Sequence, residues 1–298
     1  MHKVLSLIIA PKNVRSLPAL PLNLGEDNTT RMWVMCGLLL TAFLFVLVPA
    51  QLFDPRTLGG APIWAKPIKF SLSLAVHFFT LALLAQQVGA QYRVNKTMTC
   101  FAYAGAASAL FELIYISIQA GRGRQSHFNM DTEIEITMYI LMGIAAFFLV
   151  AVSFVLGVMI WRFSQHRIAH RETSNNAKAM DDPNVGLRWG SIIGLIIGSV
   201  LTLVFAGYMS STSSHLVGQT LGQTEVVPVV GWSRTLGDLR IPHFIVTHLI
   251  QILPIIGVLS DKLKWRSKWV VAVSTTVLVG ISIFTFIMAL DGRSVFAS

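Results

Sequence analysis

Residues 137–161 read TMYILMGIAAFFLVAVSFVLGVMIW, an unbroken run without a single charge. A helix needs about 20 apolar residues to cross the hydrocarbon core of a bilayer, and this run exceeds that. Working outward in both directions, six more apolar runs of spanning length fall at 32–53, 67–88, 98–120, 188–209, 242–260 and 269–290. Apolar residues make up 54% of the 298, and charged residues 12%, half of the roughly 25% typical of soluble domains. That composition excludes an ordinary soluble enzyme and a disordered chain. The longest stretches outside the runs are the 31 residues before the first and the 32 between Ser210 and Ile241, which leaves no room for a separate soluble domain. The sequence therefore predicts an all-α integral membrane protein. It is one seven-transmembrane-helix bundle over 32–290, with an N-terminal tail at 1–31 and a C-terminal tail at 291–298. The start, MHKVLSLIIAPKN, is basic and then briefly apolar. It is short for a signal peptide and lacks a small-residue cleavage site, so it reads as a retained cytoplasmic tail lying on the membrane surface.

Basic residues set the orientation. Fifteen Lys and Arg flank the N-terminal tail and the loops between spans 2 and 3, 4 and 5, and 6 and 7, against eight on the opposite side. The N-terminus is thus expected inside and the C-terminus outside. Six acidic residues share the inner side, so that face carries the whole net charge of +9. It faces anionic lipid. No basic stripe interleaved with aromatics appears, so the sequence predicts no nucleic-acid partner. Receptors of the G-protein-coupled type run N-out, and retinal proteins need a lysine in the seventh span, where Trp269–Leu290 has none. Cys36 and Cys100 fall at inner helix ends, where thiols stay reduced, and both read as small buried residues.

Polar groups within spans are expensive and mark sites. In the second span, WAKPIKFSLSLAVHFFT (64–80), Lys66, Lys69, Ser73, His77 and Thr80 recur at helical spacing on one face. The lysines can snorkel to the outer interface. His77 lies roughly 15 Å below Pro67, too deep to do so. In the third span Ser108, Glu112, Tyr115, Gln119 and Arg122 form a second face. Glu112 is the one carboxylate deep in a span, so it must be protonated or meet a cation. The following GRGRQSHFN (121–129) carries Arg122, Arg124, His127 and Asn129 between glycines, which suits an anion-binding turn. In the sixth span, DLRIPHFIVTHLIQILP (238–254), His243, Thr247 and Gln251 share a face, His248 flanks it, and Pro254 interrupts the helix. All three faces open to the outside. Their convergence into one outward-facing site between spans 2, 3 and 6 is the main functional expectation.

Other features read as structural. Gly190, Gly194 and Gly198 form a small-residue ridge for helix packing. His166 and His170 have metal-like spacing, yet no Glu follows the first and no second cluster supports them. No phosphate loop, nucleophile elbow or CxxC occurs. Spans 2 and 6 begin alike (KPIKF, RIPHF), a weak hint of parallel repeats of spans 1–3 and 5–7.

The set WxKPxKF (64–70), RGxxSHFN (122–129) and PHFxxxH (242–248), followed by QxLP (251–254), is similar to a family of uncharacterised bacterial seven-span proteins. The resemblance covers spans 2, 3 and 6 and the loop after span 3. It implies a bacterial inner (cytoplasmic) membrane and carries no activity.

Three functions fit the residues. The first is electron transfer by a b-type haem, or binding of a quinone. His77 and His248 would be the axial pair, with His243 or His127 as substitute, and Lys66, Lys69, Arg122, Arg124 and Arg240 would meet propionates. The second is transport or sensing of a small anionic or proton-coupled solute arriving from the outer side, with Glu112 and His77 relaying protons. The third is a membrane hydrolase with zinc on His77, His248 and Glu112. The orientation itself is testable. On a cysteine-free background, Gln125→Cys should react with an impermeant maleimide in intact cells, and Lys264→Cys only after permeabilisation. The opposite pattern would invert the topology.

Overall fold

The computed structural model describes residues 27–173, 184–218 and 225–296. Most of the N-terminal tail, the side chain of His170 and much of the loop between spans 4 and 5 lie outside the described residues. Seven helices are long and apolar enough to cross a membrane. They are α1 (Asn28–Phe53), α2 (Ala65–Ala85), α3 (Lys96–Gly121), α4 (Glu133–Thr173), α5 (Val185–Ser211), α6 (Arg240–Lys262) and α7 (Ser267–Leu290). The chain is therefore an all-α, multi-pass, seven-helix membrane protein. Phe45, Phe53 and Phe284 are 83%, 87% and 63% exposed on helix surfaces, which identifies those surfaces as lipid-facing.

The helix ends follow from local chemistry. Asp27 caps α1, its carboxylate accepting from the Thr30 N–H at 2.6 Å and the Thr30 hydroxyl at 2.9 Å. Arg93, from the single turn Ala90–Arg93, neutralises Asp27 at 3.2 Å, and both are buried. Asn95 caps α3 through the Met98 N–H at 2.8 Å. Thr132 caps the start of α4, its hydroxyl accepting from the Glu135 N–H at 3.3 Å and donating to the Glu135 carboxylate at 3.2 Å, so the helix begins before its apolar run does. Pro67 and Pro242 sit in the first turns of α2 and α6, where a missing N–H costs nothing.

Two pairs of short strands sit at one end of the bundle. β1 (Thr57–Leu58) and β2 (Ala61–Pro62) pair antiparallel across Gly59 and Gly60. Those glycines have φ of +57° and +80°, the left-handed pair that a tight hairpin requires. β3 (Leu216–Val217) pairs antiparallel with β4 (Gly237–Asp238), which closes the long connection between α5 and α6 onto itself. We call this the capped end, and the opposite end, with its Lys and Arg excess, the basic end.

The most extensive helix contact joins α5 to α6. A β-carbon at Gly190 would fall on the Leu253 carbonyl, one at Gly186 on the Gly257 carbonyl, and one at Gly194 would approach the Leu249 carbonyl to 2.5 Å. The ridge Gly186, Gly190, Gly194, Gly198 thus lets two backbones touch. Asp261 completes the pair by accepting from the Gly186 and Leu187 N–H groups at 2.8 and 2.9 Å, capping α5 from the end of α6. Three apolar cores result. The largest runs through α1–α5 and takes in Ile250 of α6, a second joins α5, α6 and α7 around Phe205, Val246, Leu249 and Leu253, and a third gathers Tyr115, Ile116 and Met142 of α3 and α4. By contrast, α2 and α6 share no extended packing. Cys36 is buried, but Cys100 is exposed on α3. Its expected burial is corrected: at position 100 the helix surface faces outward.

Gly190→Val should therefore lower stability to denaturant unfolding in detergent by about 1–3 kcal/mol, the cost of overpacking. Gly207→Val, on the same helix but with nothing within 4 Å of its would-be β-carbon, should change it little. Equal effects would show that the glycine ridge is not what seats α5 on α6.

Candidate functional site

The three polar faces lie towards the capped end. Each is set by the packing of its helix. On α3, Ser108, Glu112, Tyr115 and Gln119 are all buried. Two of these explain themselves: the Gln119 amide donates to the Tyr115 hydroxyl at 2.9 Å, and its carbonyl accepts from Arg122 at 3.0 Å. Glu112 does not. It is 2% exposed, and its Oε2 has no hydrogen-bond partner. Lys66 on α2 is the cation acting on it through space, and no ion pair joins the two among the described residues. A carboxyl so placed is costly unless it carries a proton or gains a partner.

On α2, Ser73 is exposed and Thr80 bonds its own backbone at Val76, so neither contributes to a site. His77 does. Its ring faces the backbone of Leu149 on α4, and its Nε2 is buried without a partner. On α6, the Thr247 hydroxyl pairs with Thr202 of α5 at 3.1 Å and with the His243 carbonyl at 2.7 Å. His243 Nδ1 is buried and unpartnered. His248 Nδ1 lies 3.3 Å from Gln251 Oε1, and its ring packs on Phe244 with centroids 4.2 Å apart. His248 is within electrostatic reach of both His77 and His243. Unmatched buried polar atoms thus occur on α2, α3 and α6, and also on α1 (Trp33 Nε1, Gln51 Oε1) and α4 (Ser153 Oγ); those of His77, Glu112 and His243 are the titratable ones.

The basic residues divide into two groups. Arg124 pairs with Asp131 at 2.7 Å and with the buried Glu135 at 3.1 Å, and Arg122 lies 4.0 Å from the same Glu135. Arg240 is clamped on Asp238 at 2.6 Å and donates to the Gly231 carbonyl. These three arginines have protein carboxylates as partners. Lys66 and Lys69 have none among the described residues. Lys66 Nζ sits 3.0 Å from His127 Nδ1, and Lys69 Nζ donates to the Val230 carbonyl at 3.3 Å. Both lysines bridge α2 to the segments that cover the capped end.

That cover includes residues the sequence did not single out. His215 stacks on Phe128 with centroids 6.3 Å apart, and Phe128 also meets Tyr139 at 5.6 Å. Phe128 holds φ of +56°, a conformation a bulky residue adopts only when its surroundings impose it. Asp238 and Glu135, both buried, anchor the arginines. Glu135 escaped notice because it precedes the uncharged run. Asp238 belongs to a strand of two residues, and His215 immediately precedes another, both too short to show alternation. Burial and the nearby Lys66 charge lower the His127 pKa to about 3. Burial and Arg240 lower that of His215 to about 4. Both imidazoles are neutral near pH 7. Among the described residues, no three His, Cys, Asp or Glu stand close enough to hold a metal ion, so His77, His248 and Glu112 do not assemble as a zinc set. No family model, curated protein or solved structure matches the chain.

The cover should be acid-sensitive. Both histidines bind protons less readily folded than unfolded, where the ordinary value is 6.5. Their contribution is complete above that value and declines as pH falls towards about 4 for His215 and about 3 for His127. Amide hydrogen exchange in residues 122–131, corrected for intrinsic rate, should accelerate between pH 7 and pH 4. His127→Phe should flatten that dependence. A pH-independent protection factor in the parent protein would contradict it.

Proposed function

We propose that the chain is a bacterial inner-membrane protein, N-terminus inside, that holds a b-type haem between α2 and α6 on the outer side for electron transfer. The observation that carries this reading is the state of two imidazoles. His77 has its ring towards the Leu149 backbone and its Nε2 open, and His248 has Nδ1 engaged by Gln251. An imidazole with one nitrogen tied to an acceptor and the other open is oriented to ligate iron. A haem iron needs only two protein ligands, so the lack of a three-residue metal cluster does not weigh against it. Lys66 and Lys69, which lack carboxylate partners, would receive the propionates. When bound, the haem supplies a one-electron couple. The chain's own part is to fix two neutral imidazoles and exclude water from them.

A second reading, binding of a small anionic solute with coupled protonation, is favoured by the same two lysines and by the unpartnered Glu112. The two readings separate in one measurement. Detergent-purified protein should show a Soret band, with sharp α and β bands after dithionite. His77→Ala and His248→Ala should each abolish the six-coordinate low-spin spectrum while far-ultraviolet circular dichroism stays unchanged. Bare aromatic absorbance that persists after haem supplementation would discard the haem and leave the anion reading.

A further inference from the structure

Glu112 remains unexplained by axial ligation. It is buried, half of its carboxyl is unpartnered, and the cation acting on it is one helix away. That cation, Lys66, is a long arm at the first turn of α2, and its ammonium rests on His127 Nδ1 at 3.0 Å. His127 in turn contacts Ser126 and belongs to the loop at the capped end. The other ionisable groups of this end are Lys69 on α2, Arg240 on α6, His215 and Asp238 in the α5–α6 connection, Arg122, Arg124, Asp131 and Glu135 around the loop after α3, and the Arg56–Asp54 pair. A neutral imidazole accepts a hydrogen bond on one nitrogen and carries a proton on the other. A lysine stem has four flexible carbons and an ammonium that can lose its proton when buried.

We propose that Glu112 is a proton-storing group, and that Lys66 and His127 are its connection to the solution at the capped end. Lys66 passes a proton to His127 Nδ1, and the imidazole releases its Nε2 proton to water. The neutral Lys66 amine then swings to Glu112 and takes the carboxyl proton. One proton has left the protein, and a Lys66–Glu112 ion pair remains. The reverse sequence reloads the carboxyl. This site stands whether the neighbouring imidazoles hold a haem or not.

Infrared difference spectroscopy of the purified full-length protein tests it. A protonated-carboxyl band should be present in the parent and absent in Glu112→Gln. Its hydrogen–deuterium exchange should slow at least about tenfold in Lys66→Arg, because a guanidinium keeps the charge beside Glu112 but does not give up a proton. His127→Phe should slow it similarly, and Ser73→Ala, at an exposed position of α2, should leave it unchanged. A purely electrostatic role for Lys66 would leave Lys66→Arg at the parent rate, and that result overturns the relay. No band lost in Glu112→Gln would overturn the storage role. If Lys66→Arg fails to fold, His127→Phe decides alone, with parent-rate exchange counting against the proposal.

Discussion

The backbone contact between α5 and α6 is the constraint on which the rest of the bundle depends. Without a hydrophobic drive between helices inside lipid, close van der Waals approach has to hold them. Glycines at 186, 190, 194 and 198 meet the carbonyls of Val246, Leu249, Leu253 and Gly257. This contact uses one whole side of α6. The helix then has to turn His243, His248 and Gln251 elsewhere, and α2 is the neighbour it does not pack against. Asp261 fixes the register by capping α5 from the last turn of α6. The polar face of α6 is thus placed by a contact on its opposite side.

Polar groups inside the bundle carry a cost. An orphaned donor or acceptor costs more in low dielectric than in water. His77 Nε2, Glu112 Oε2 and His243 Nδ1 are three such atoms, and Trp33 Nε1, Gln51 Oε1 and Ser153 Oγ on α1 and α4 are others. What distinguishes the first three is that they belong to ionisable side chains, which are rare inside membrane spans.

The seven spans were legible because length and hydropathy carry nearly all of that information. The helical period likewise placed Glu112, His77 and His243 on inward faces, and each proved to hold an unpartnered atom. Sequence did not show that Arg122, Arg124 and Arg240 are matched by Glu135, Asp131 and Asp238. Those partners sit in loops and first turns, where no periodicity reports on contacts. Burial of Cys100 was misjudged for a related reason. A small residue in an apolar helix gives no indication of which side meets lipid. His215 was invisible because it lies in the irregular connection before a two-residue strand, where no pattern forms.

The two ends of the bundle differ in a way that bears on mechanism. Towards the basic end, α2 continues from His77 as Phe78, Leu81, Ala82, Leu84 and Ala85, all buried and apolar. That end is then closed by the buried Asp27–Arg93 pair and by Gln87 donating to Ser191 at 2.8 Å. At the capped end, the polar links from α2 to the cover run through Lys66 and Lys69, beside a ring contact of Phe70 with His127. Those links are partly exposed hydrogen bonds of flexible side chains. Opening at the basic end means unpacking a core and stripping a buried ion pair, which is far more expensive. The capped end is therefore the less tightly closed of the two. That asymmetry suits a site that binds, or that exchanges electrons and protons with one side, better than a conduit that must open to both.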